Sequence, residues 1–228
     1  MTPLILLPGL GSDGALWAAQ VRDLADVADM MVGDTLQDDT LPAMARRVLA
    51  AAPARFALAG LSMGGYLAFE IVRQAPERVE RLALLDTSAR PDTPDQTAGR
   101  HAAIAASEKY PLEALARSSL SGLLHPDTGQ AVRDAVVAMS LRVGAQTYRR
   151  QQRAVAARPD SRPLLGEIAA PTLIVVGAQD TLTPPPLAAE MHAGIAGSTL
   201  TVIDDAGHLP TMERPDVVTA ALRAWLSR

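Results

Sequence analysis

The sequence contains no cysteine among its 228 residues. This excludes disulfide bonds, a thiolate nucleophile and cysteine-ligated metal, and it favours a reducing compartment such as the cytoplasm. Aromatic residues are also scarce, at 3 % of the chain, so a core must be built mostly from alanine and leucine. Because 48 % of the residues are hydrophobic, the chain can still bury the core of one domain, with room for an inserted subdomain.

Tracts rich in lysine or arginine are absent from both ends of the chain, and the net charge is −4. A nucleic-acid partner is therefore not expected. The apolar stretch over 3–8 is short, has no basic flank before it and is followed by glycines, so neither a signal peptide nor a membrane span is expected. We expect a soluble cytoplasmic protein, monomeric or homodimeric, that binds a small molecule.

Several common site motifs are missing. The sequence has no H-E-x-x-H zinc motif and no phosphate-binding loop. Gly9, Gly11 and Gly14 do fit the bare G-x-G-x-x-G spacing of a dinucleotide-binding loop, and Asp34 follows the next predicted strand. On these residues alone, an oxidoreductase that binds a nicotinamide dinucleotide stays open as an alternative.

Short apolar runs alternate with helix-like stretches along most of the chain. The runs predict six strands, at 4–7, 30–32, 56–59, 79–85, 172–176 and 199–203. Helices are predicted at 16–24, 41–51, 63–74, 186–193 and 217–226. In the first of these helices, Trp17, Val21 and Leu24 share one apolar face. This alternation predicts an α/β protein whose mostly parallel sheet of about six strands has helices on both faces.

The alternation breaks over residues 88–167. A structureless loop of about eighty residues is rare inside a compact domain, and this stretch has helical periodicity instead. Helical segments are predicted near 102–108, 112–120, 132–139 and 146–157. Asp127 or Thr128 is positioned to cap the third segment. We expect residues 88–167 to form an inserted helical lid on a core made of residues 1–87 and 168–228.

A glycine-rich turn, Gly60-Leu61-Ser62-Met63-Gly64-Gly65, lies between a predicted strand and a predicted helix. Strand, sharp turn and helix, with a serine at the apex, are the context that a G-x-S-x-G nucleophile elbow requires. Glycine is needed two residues before and after the serine because a Cβ there would collide with neighbouring backbone. The N-terminus of the following helix favours developing negative charge. Ser62 is therefore the predicted nucleophile.

A serine hydroxyl is a weak nucleophile until a base removes its proton. His208 follows the last predicted strand, and Asp180 follows the strand before it. The carboxyl ends of parallel strands meet at one edge of a sheet, so both side chains are expected beside Ser62. In this arrangement His208 takes the serine proton, while Asp180 fixes the imidazole tautomer and stabilises the imidazolium.

Asp86 also follows a predicted strand and stays open as the acid. Asp204 and Asp205 are disfavoured because they lie too close to His208 in the sequence. The other histidines fall in the predicted lid or in a helix and are disfavoured as the base, although the first two could reach a substrate: His101, His125 and His192.

A basic cluster lies towards the end of the predicted lid, at Arg149, Arg150, Arg153, Arg158 and Arg162. Such a cluster can recognise an anionic substrate. A solvated helix face, balanced by acidic residues elsewhere, is the favoured interpretation.

An oxyanion hole needs backbone N–H groups that point at the tetrahedral intermediate. The residue after the nucleophile, Met63, is one predicted donor. The second is expected from the loop after the first strand, where Gly9 and Gly11 flank Leu10 and allow the backbone to approach closely. An ordinary glycine turn is the alternative for this loop.

Together these segments resemble the α/β-hydrolase superfamily, over nearly all of the chain except the lid. The resemblance rests on the segments at 7–12, 60–65, 171–185, 206–210 and 213–215. It is closest to the small lidded esterases and the related enol-lactone and carbon–carbon bond hydrolases, and it implies a Ser62–His208–Asp180 triad under a lid. The chain has Pro8 before Gly9, where many members have histidine, and it starts directly at the first strand, without the strand pair that many members have before it.

A carboxylesterase-like serine hydrolase without cofactor or metal is therefore the expected function. Two alternatives stay open. The same residues could cleave an enol-lactone or a carbon–carbon bond, since the lid pocket decides between these reactions. The fold could also serve a ligand receptor with slow or no turnover.

Overall fold

The computed structural model describes residues 1–227, and its centre is a single parallel sheet of six strands. The strands are β1 Thr2–Leu7, β2 Ala28–Val32, β3 Phe56–Leu61, β4 Val79–Leu85, β5 Thr172–Gly177 and β6 Thr199–Ile203. Their order across the sheet is β2-β1-β3-β4-β5-β6, and every neighbouring pair is parallel. The predicted α/β fold class and strand number are confirmed.

Burial explains the composition of the strands. The inner strands β3 and β5 are buried at every position, which is why they read as continuous apolar runs. The edge strands β2 and β6 have exposed positions such as Val32 and Val202. Alanine at 57, 59 and 83 leaves room for helices to pack closely on the sheet.

Nine α-helices lie among the described residues. They are α1 Ala18–Asp23, α2 Leu41–Ala51, α3 Met63–Gln74, α4 Pro94–Lys109, α5 Leu112–Leu123, α6 Gln130–Ala156, α7 Pro185–Gly194, α8 Pro210–Glu213 and α9 Pro215–Leu226. Helices α2, α3 and α7 pack on one face of the sheet, α9 packs on the other, and α1 contacts α9. Within residues 1–227, no helix combines the length and the hydrophobicity that a membrane span requires.

The first predicted helix differs in its detail. A 3-10 turn covers Gly14–Trp17 before α1 begins. Val21 is exposed, whereas Gln20 is completely buried and donates hydrogen bonds to the carbonyl oxygens of Thr211 and Pro215. The prediction of Val21 on the buried face is wrong because the 3-10 turn shifts the face that the next helix presents to the core.

Three helices, α4 to α6, are inserted between β4 and β5. Helix α6 is interrupted at Gly144, whose φ of 78° and ψ of 156° are not helical, so the two segments predicted there are separate helical pieces. The predicted cap is wrong. Gly129 takes the N-cap position, and the Thr128 hydroxyl instead donates to Glu213. The division into a core and a lid at 88–167 stays a prediction.

The strand order reverses direction between β1 and β3. Crevices at such points, beyond the carboxyl ends of the strands, are where parallel α/β sheets bind ligands. The loop after β1 and the turn after β3 both leave the sheet at this crevice, so the fold brings residues 8–11 close to residue 62.

Candidate active site

Ser62 lies at the apex of a strained turn between β3 and α3. Its backbone has φ 57° and ψ −116°, a conformation that costs free energy for any residue with a side chain. A Cβ on Gly60 would lie 2.2 Å from the Gly64 carbonyl oxygen, and one on Gly64 would lie 2.1 Å from the Leu7 carbonyl oxygen. Both glycines are therefore sterically required, and the turn presents the serine hydroxyl to the crevice.

The structure brings Ser62, His208 and Asp180 together. The Ser62 Oγ lies 2.8 Å from His208 Nε2, and His208 Nδ1 lies 2.8 Å from Asp180 Oδ2. His208 and Asp180 are each only 3 % exposed. The three side chains form one hydrogen-bonded chain from the interior to the crevice, in the geometry by which a base can activate a hydroxyl.

Asp180 is surrounded by hydrogen-bond donors. Besides His208, the Thr183 hydroxyl donates to Oδ2 at 2.6 Å, and the N–H groups of Leu182 and Thr183 donate to Oδ1. Burial raises the pKa of this carboxyl, but the hydrogen bond and charge of His208 and the donors of Thr183 outweigh it and bring the pKa to about 2. These contacts favour the ionised form of Asp180.

Asp86 is the second carboxyl of this region, and its surroundings are different. It is completely buried, Oδ1 accepts from the Gly177 N–H at 2.8 Å, and Oδ2 has no hydrogen-bond partner among the described residues. Burial, followed by the nearby charge of Asp180, raises its pKa well above the ordinary value. A raised pKa disfavours the anionic form of Asp86 that an imidazolium would need as its partner, and the hydrogen bond of His208 goes to Asp180.

Oxygen and nitrogen atoms of Asp86, Asp180 and His208 lie within 4.8 Å of one another, a spacing that a metal ion could bridge. Both ring nitrogens of His208 already have protein partners. A metal would have to displace the serine or the aspartate from the histidine. The hydrogen-bonded arrangement therefore fits these residues better than a metal centre.

The loop after β1 faces Ser62. A Cβ on Gly9 would lie 3.5 Å from the Ser62 Cβ, and Leu10 and Met63 both line the cavity at Ser62. Hydrogen bonds from the Leu10 N–H are absent within residues 1–227, and the first N–H groups of a helix such as α3 have no intrahelical acceptor. The two N–H groups predicted for an oxyanion hole thus come from segments that meet at the nucleophile.

A cavity of about 760 Å³ opens beside Ser62 and His208. The core contributes Leu61, Tyr66 and Leu209, and the inserted helices contribute apolar side chains opposite them: Leu112, Leu115, Ala116 and Val136. A cavity of this size and apolar character suits a small organic molecule. Neither His101 nor His125 is among the residues that line it, so the expectation that they reach a substrate is not supported.

The geometry agrees with a comparison of the sequence with known families. A family model described as alpha/beta hydrolase fold matches residues 31–215. The chain belongs to the alpha/beta hydrolase family. This membership and the geometry around Gly9 favour the hydrolase interpretation of the glycine-rich loop over the dinucleotide one.

Similar members of the family include esterases and a lactonase. A thermophilic esterase from Thermogutta terrifontis is 32 % identical over 100 % of this chain and 90 % of that chain, with a TM-score of 0.92. The enol-lactonase from Burkholderia xenovorans LB400 is 25 % identical over 100 % of this chain and 92 % of its own, with a TM-score of 0.89. The pimeloyl-[acyl-carrier protein] methyl ester esterase of Neisseria meningitidis is 26 % identical over 73 % of this chain and 68 % of the relative.

Two buried side chains that support the site were not predicted. Glu213 accepts hydrogen bonds from the N–H groups of Gly207 and Leu209, on either side of His208. Gln151 accepts from the Gly11 N–H at 2.9 Å and donates to the Thr35 carbonyl oxygen. Neither residue belongs to a periodic pattern that marks such a role. The available signal for Glu213 is its position five residues after His208, in the 213–215 segment that carries the family resemblance.

The arginines of the predicted lid have different environments. Arg153 is exposed, and Arg162 pairs with the neighbouring Asp160, as a solvated face predicts. Arg158 is buried, lines the cavity and pairs with the buried Asp92, so the solvated-face interpretation is wrong for this residue. The error arises because the partner, Asp92, lies 66 residues away in the sequence.

Proposed function

We propose that this chain is a serine hydrolase that cleaves carboxylic esters through an acyl-enzyme. The observation that carries the proposal is the hydrogen-bonded chain from Ser62 Oγ through His208 to the ionised Asp180, at the wall of an apolar cavity. Its order and spacing are those that activate a serine in acyl transfer.

In the proposed mechanism, His208 Nε2 takes the Ser62 proton as the oxygen attacks the ester carbonyl carbon. The tetrahedral oxyanion accepts hydrogen bonds from the backbone N–H groups of Leu10 and Met63, which lower the barrier because they are already oriented. The imidazolium, stabilised by Asp180, then gives its proton to the leaving alcohol. A water molecule activated by the same nitrogen releases the acid and restores the serine.

We infer that residues 88–167 act as a lid over this site. Residues of helices α4, α5 and α6 line the same cavity as Ser62 and His208. Covering the site excludes bulk water, which strengthens the electrostatic interactions of the oxyanion.

Esters are the favoured substrates because two of the three similar proteins above are esterases. The likeness to an enol-lactonase favours a second candidate, hydrolysis of a lactone or an enol-lactone, by the same residues. The two reactions share the acyl-enzyme and differ only in whether the leaving group stays attached to the acyl chain. Comparing kcat/KM for open p-nitrophenyl esters and lactones of the same chain length distinguishes them.

The decisive experiment replaces Ser62 by alanine. We expect hydrolysis of p-nitrophenyl esters to fall by at least about a thousandfold, because removal of the nucleophile leaves only binding and the oxyanion hole. A fluorophosphonate should label Ser62 in the parent protein and give no mass shift in the variant. Ser227→Ala, at an exposed serine in the C-terminal region, is the control. Hydrolysis at the parent rate by Ser62→Ala would refute the mechanism, and negligible turnover by the parent would favour a receptor.

A further inference from the structure

Three arginines line the cavity, whereas no carboxylate does so among residues 1–227. Arg90 is neutralised by Glu190, with Nη2 2.8 Å from Oε1. Arg100 and Arg158 share a single carboxylate, Asp92, whose side chain is 1 % exposed. Two guanidinium groups against one carboxylate leave one positive charge on the cavity wall that this cluster does not balance.

The shared pairing leaves donors of the two arginines available. Arg100 directs Nε and Nη2 to Asp92 and one Nη1 hydrogen to Gln152 Oε1 at 3.1 Å. A guanidinium has five N–H hydrogens, so one hydrogen on Nη1 and one on Nη2 of Arg100 take no part in these bonds. Arg158 uses Nε and Nη1, and none of the hydrogen bonds within the described chain comes from its Nη2.

The orientation of both groups is fixed. The Arg158 guanidinium carbon lies 4.2 Å from the centre of the Tyr66 ring, and Tyr66 is one helical turn after Ser62 in α3. Gln152 holds Arg100 and in turn donates to the Tyr148 hydroxyl at 2.9 Å. Such fixed planar donors match the two oxygens of a carboxylate, and a cavity with low-dielectric walls concentrates their field.

We propose that Arg100 and Arg158 form a carboxylate-binding subsite, so that the preferred substrates are esters carrying a free carboxylate. This inference rests on the proposed esterase function and adds the class of substrate. One guanidinium would be enough to neutralise Asp92. The second guanidinium makes the cavity selective for an anion, because no acidic residue of the described wall opposes it. An apolar wall alone would favour a neutral acyl chain.

The test compares two esters with the same six-carbon acyl chain, mono-p-nitrophenyl adipate and p-nitrophenyl hexanoate. They differ only in a terminal carboxylate against a methyl group. We expect a higher kcat/KM for the adipate ester. Arg100→Gln should lower that value about tenfold, the order expected for loss of a charged hydrogen bond, and change the value for the neutral ester less than about twofold. Arg100→Lys should keep part of the preference. Arg153→Gln, at an exposed arginine of α6, is the matched control and should change neither value.

A parent protein that hydrolyses the hexanoate ester as well as the adipate ester, or better, would overturn the subsite. An equal loss on both esters in Arg100→Gln would assign Arg100 a merely structural role and also overturn it. Thermal stabilisation by free adipate, compared with uncharged 1,6-hexanediol, tests the subsite without turnover. Stabilisation by adipate alone, without hydrolysis of either ester, would support the subsite and refute the esterase function. Stabilisation by neither would refute the subsite, whatever the rates.

Discussion

Asp86 and Asp180 are two buried aspartates in one cluster, and their environments change their pKa values in opposite directions. Asp180 receives hydrogen bonds from His208, Thr183 and Leu182, so it keeps its charge although burial opposes this. Asp86 receives one, from Gly177, and faces the negative charge of Asp180. Two carboxylates this close cannot both ionise without a large cost in free energy, so the carboxylate with more hydrogen-bond donors carries the charge.

Replacing each aspartate by asparagine separates their roles. In Asp180→Asn the amide would hold the wrong imidazole tautomer, and kcat should fall by about a thousandfold to ten-thousandfold. In Asp86→Asn the amide keeps an acceptor for the Gly177 N–H, and asparagine tolerates the φ of 42° found there, so kcat should stay within about threefold. Steady-state kinetics with a p-nitrophenyl ester provide the measurement. A larger loss in Asp86→Asn would identify Asp86 as the acid instead.

Asp86→Asn should also change how stability depends on pH. Above the ordinary carboxyl pKa of about 4, the unfolded chain releases the Asp86 proton while the folded chain keeps it. The folded state then binds more protons, so the free energy of unfolding decreases as pH rises, by at most about 1.4 kcal/mol per pH unit. The variant lacks this loss, so its advantage over the parent should grow as the pH rises above about 4.

Urea unfolding at several pH values measures this effect. Asp127→Asn is the control, because the Asp127 side chain is 90 % exposed and its replacement leaves the buried carboxyl cluster unchanged. An advantage of Asp86→Asn that did not vary with pH would mean that Asp86 has an ordinary pKa in the folded protein.

At the scale of elements, most bounds follow from local chemistry. Helix α2 begins and ends at the predicted residues. It begins there because Thr40 caps the first turn by accepting from the Ala43 N–H. Helix α4 begins well before the predicted segment, at a capping box formed by Thr93 and Gln96. That box lies in a polar stretch, so apolar periodicity alone does not reveal the first two turns of the helix.

The break in α6 depends on Gly144, whose backbone conformation is nearly exclusive to glycine. A Cβ there would meet no atom within 4 Å, so Gly144→Ala tests the backbone alone. We expect the free energy of unfolding to fall by about 1–3 kcal/mol. Gly99→Ala is the matched control: it lies inside α4, also with nothing within 4 Å, and should raise stability by about 0.5–1 kcal/mol. Equal effects in urea unfolding would show that the break does not need glycine.

At the scale of the whole molecule, the Glu213 side chain links the loop that carries His208 to the inserted segment at 88–167. Its Oε1 accepts from the N–H groups of Gly207 and Leu209, and its Oε2 accepts from the His125 N–H and the Thr128 hydroxyl. A carboxylate can accept all four hydrogens, whereas an amide presents an NH₂ group to two of the donors. The position of His208 therefore depends on contacts with a distant part of the chain.

Glu213→Gln should lower the free energy of unfolding by about 2–3 kcal/mol, because buried donors lose their acceptor. It should also lower kcat several-fold, since the loop that carries His208 loses its support. Glu113→Gln is the control, because Glu113 is half exposed in a surface pair with Arg117 and should cost at most about 0.5 kcal/mol. Unfolding curves and ester hydrolysis measure the two effects. Unchanged values of both for Glu213→Gln would contradict the proposed connection.

Local features of the chain are enough to specify the alternation of strands and helices, the six-stranded parallel sheet and the serine at the elbow. These depend on periodicity, on capping residues and on the steric need for glycine, all of which act between near neighbours in the chain. The order of the strands then placed Asp180 and His208 at the same edge as Ser62.

The tertiary structure decides which aspartate contacts His208, raises the pKa of Asp86, and places Arg158 at the cavity wall instead of in solvent. It also decided the placement of Gln151 against the loop at Gly11. Each of these properties depends on burial and on the charge of a partner far away in the sequence, and those are fixed only when the chain has folded.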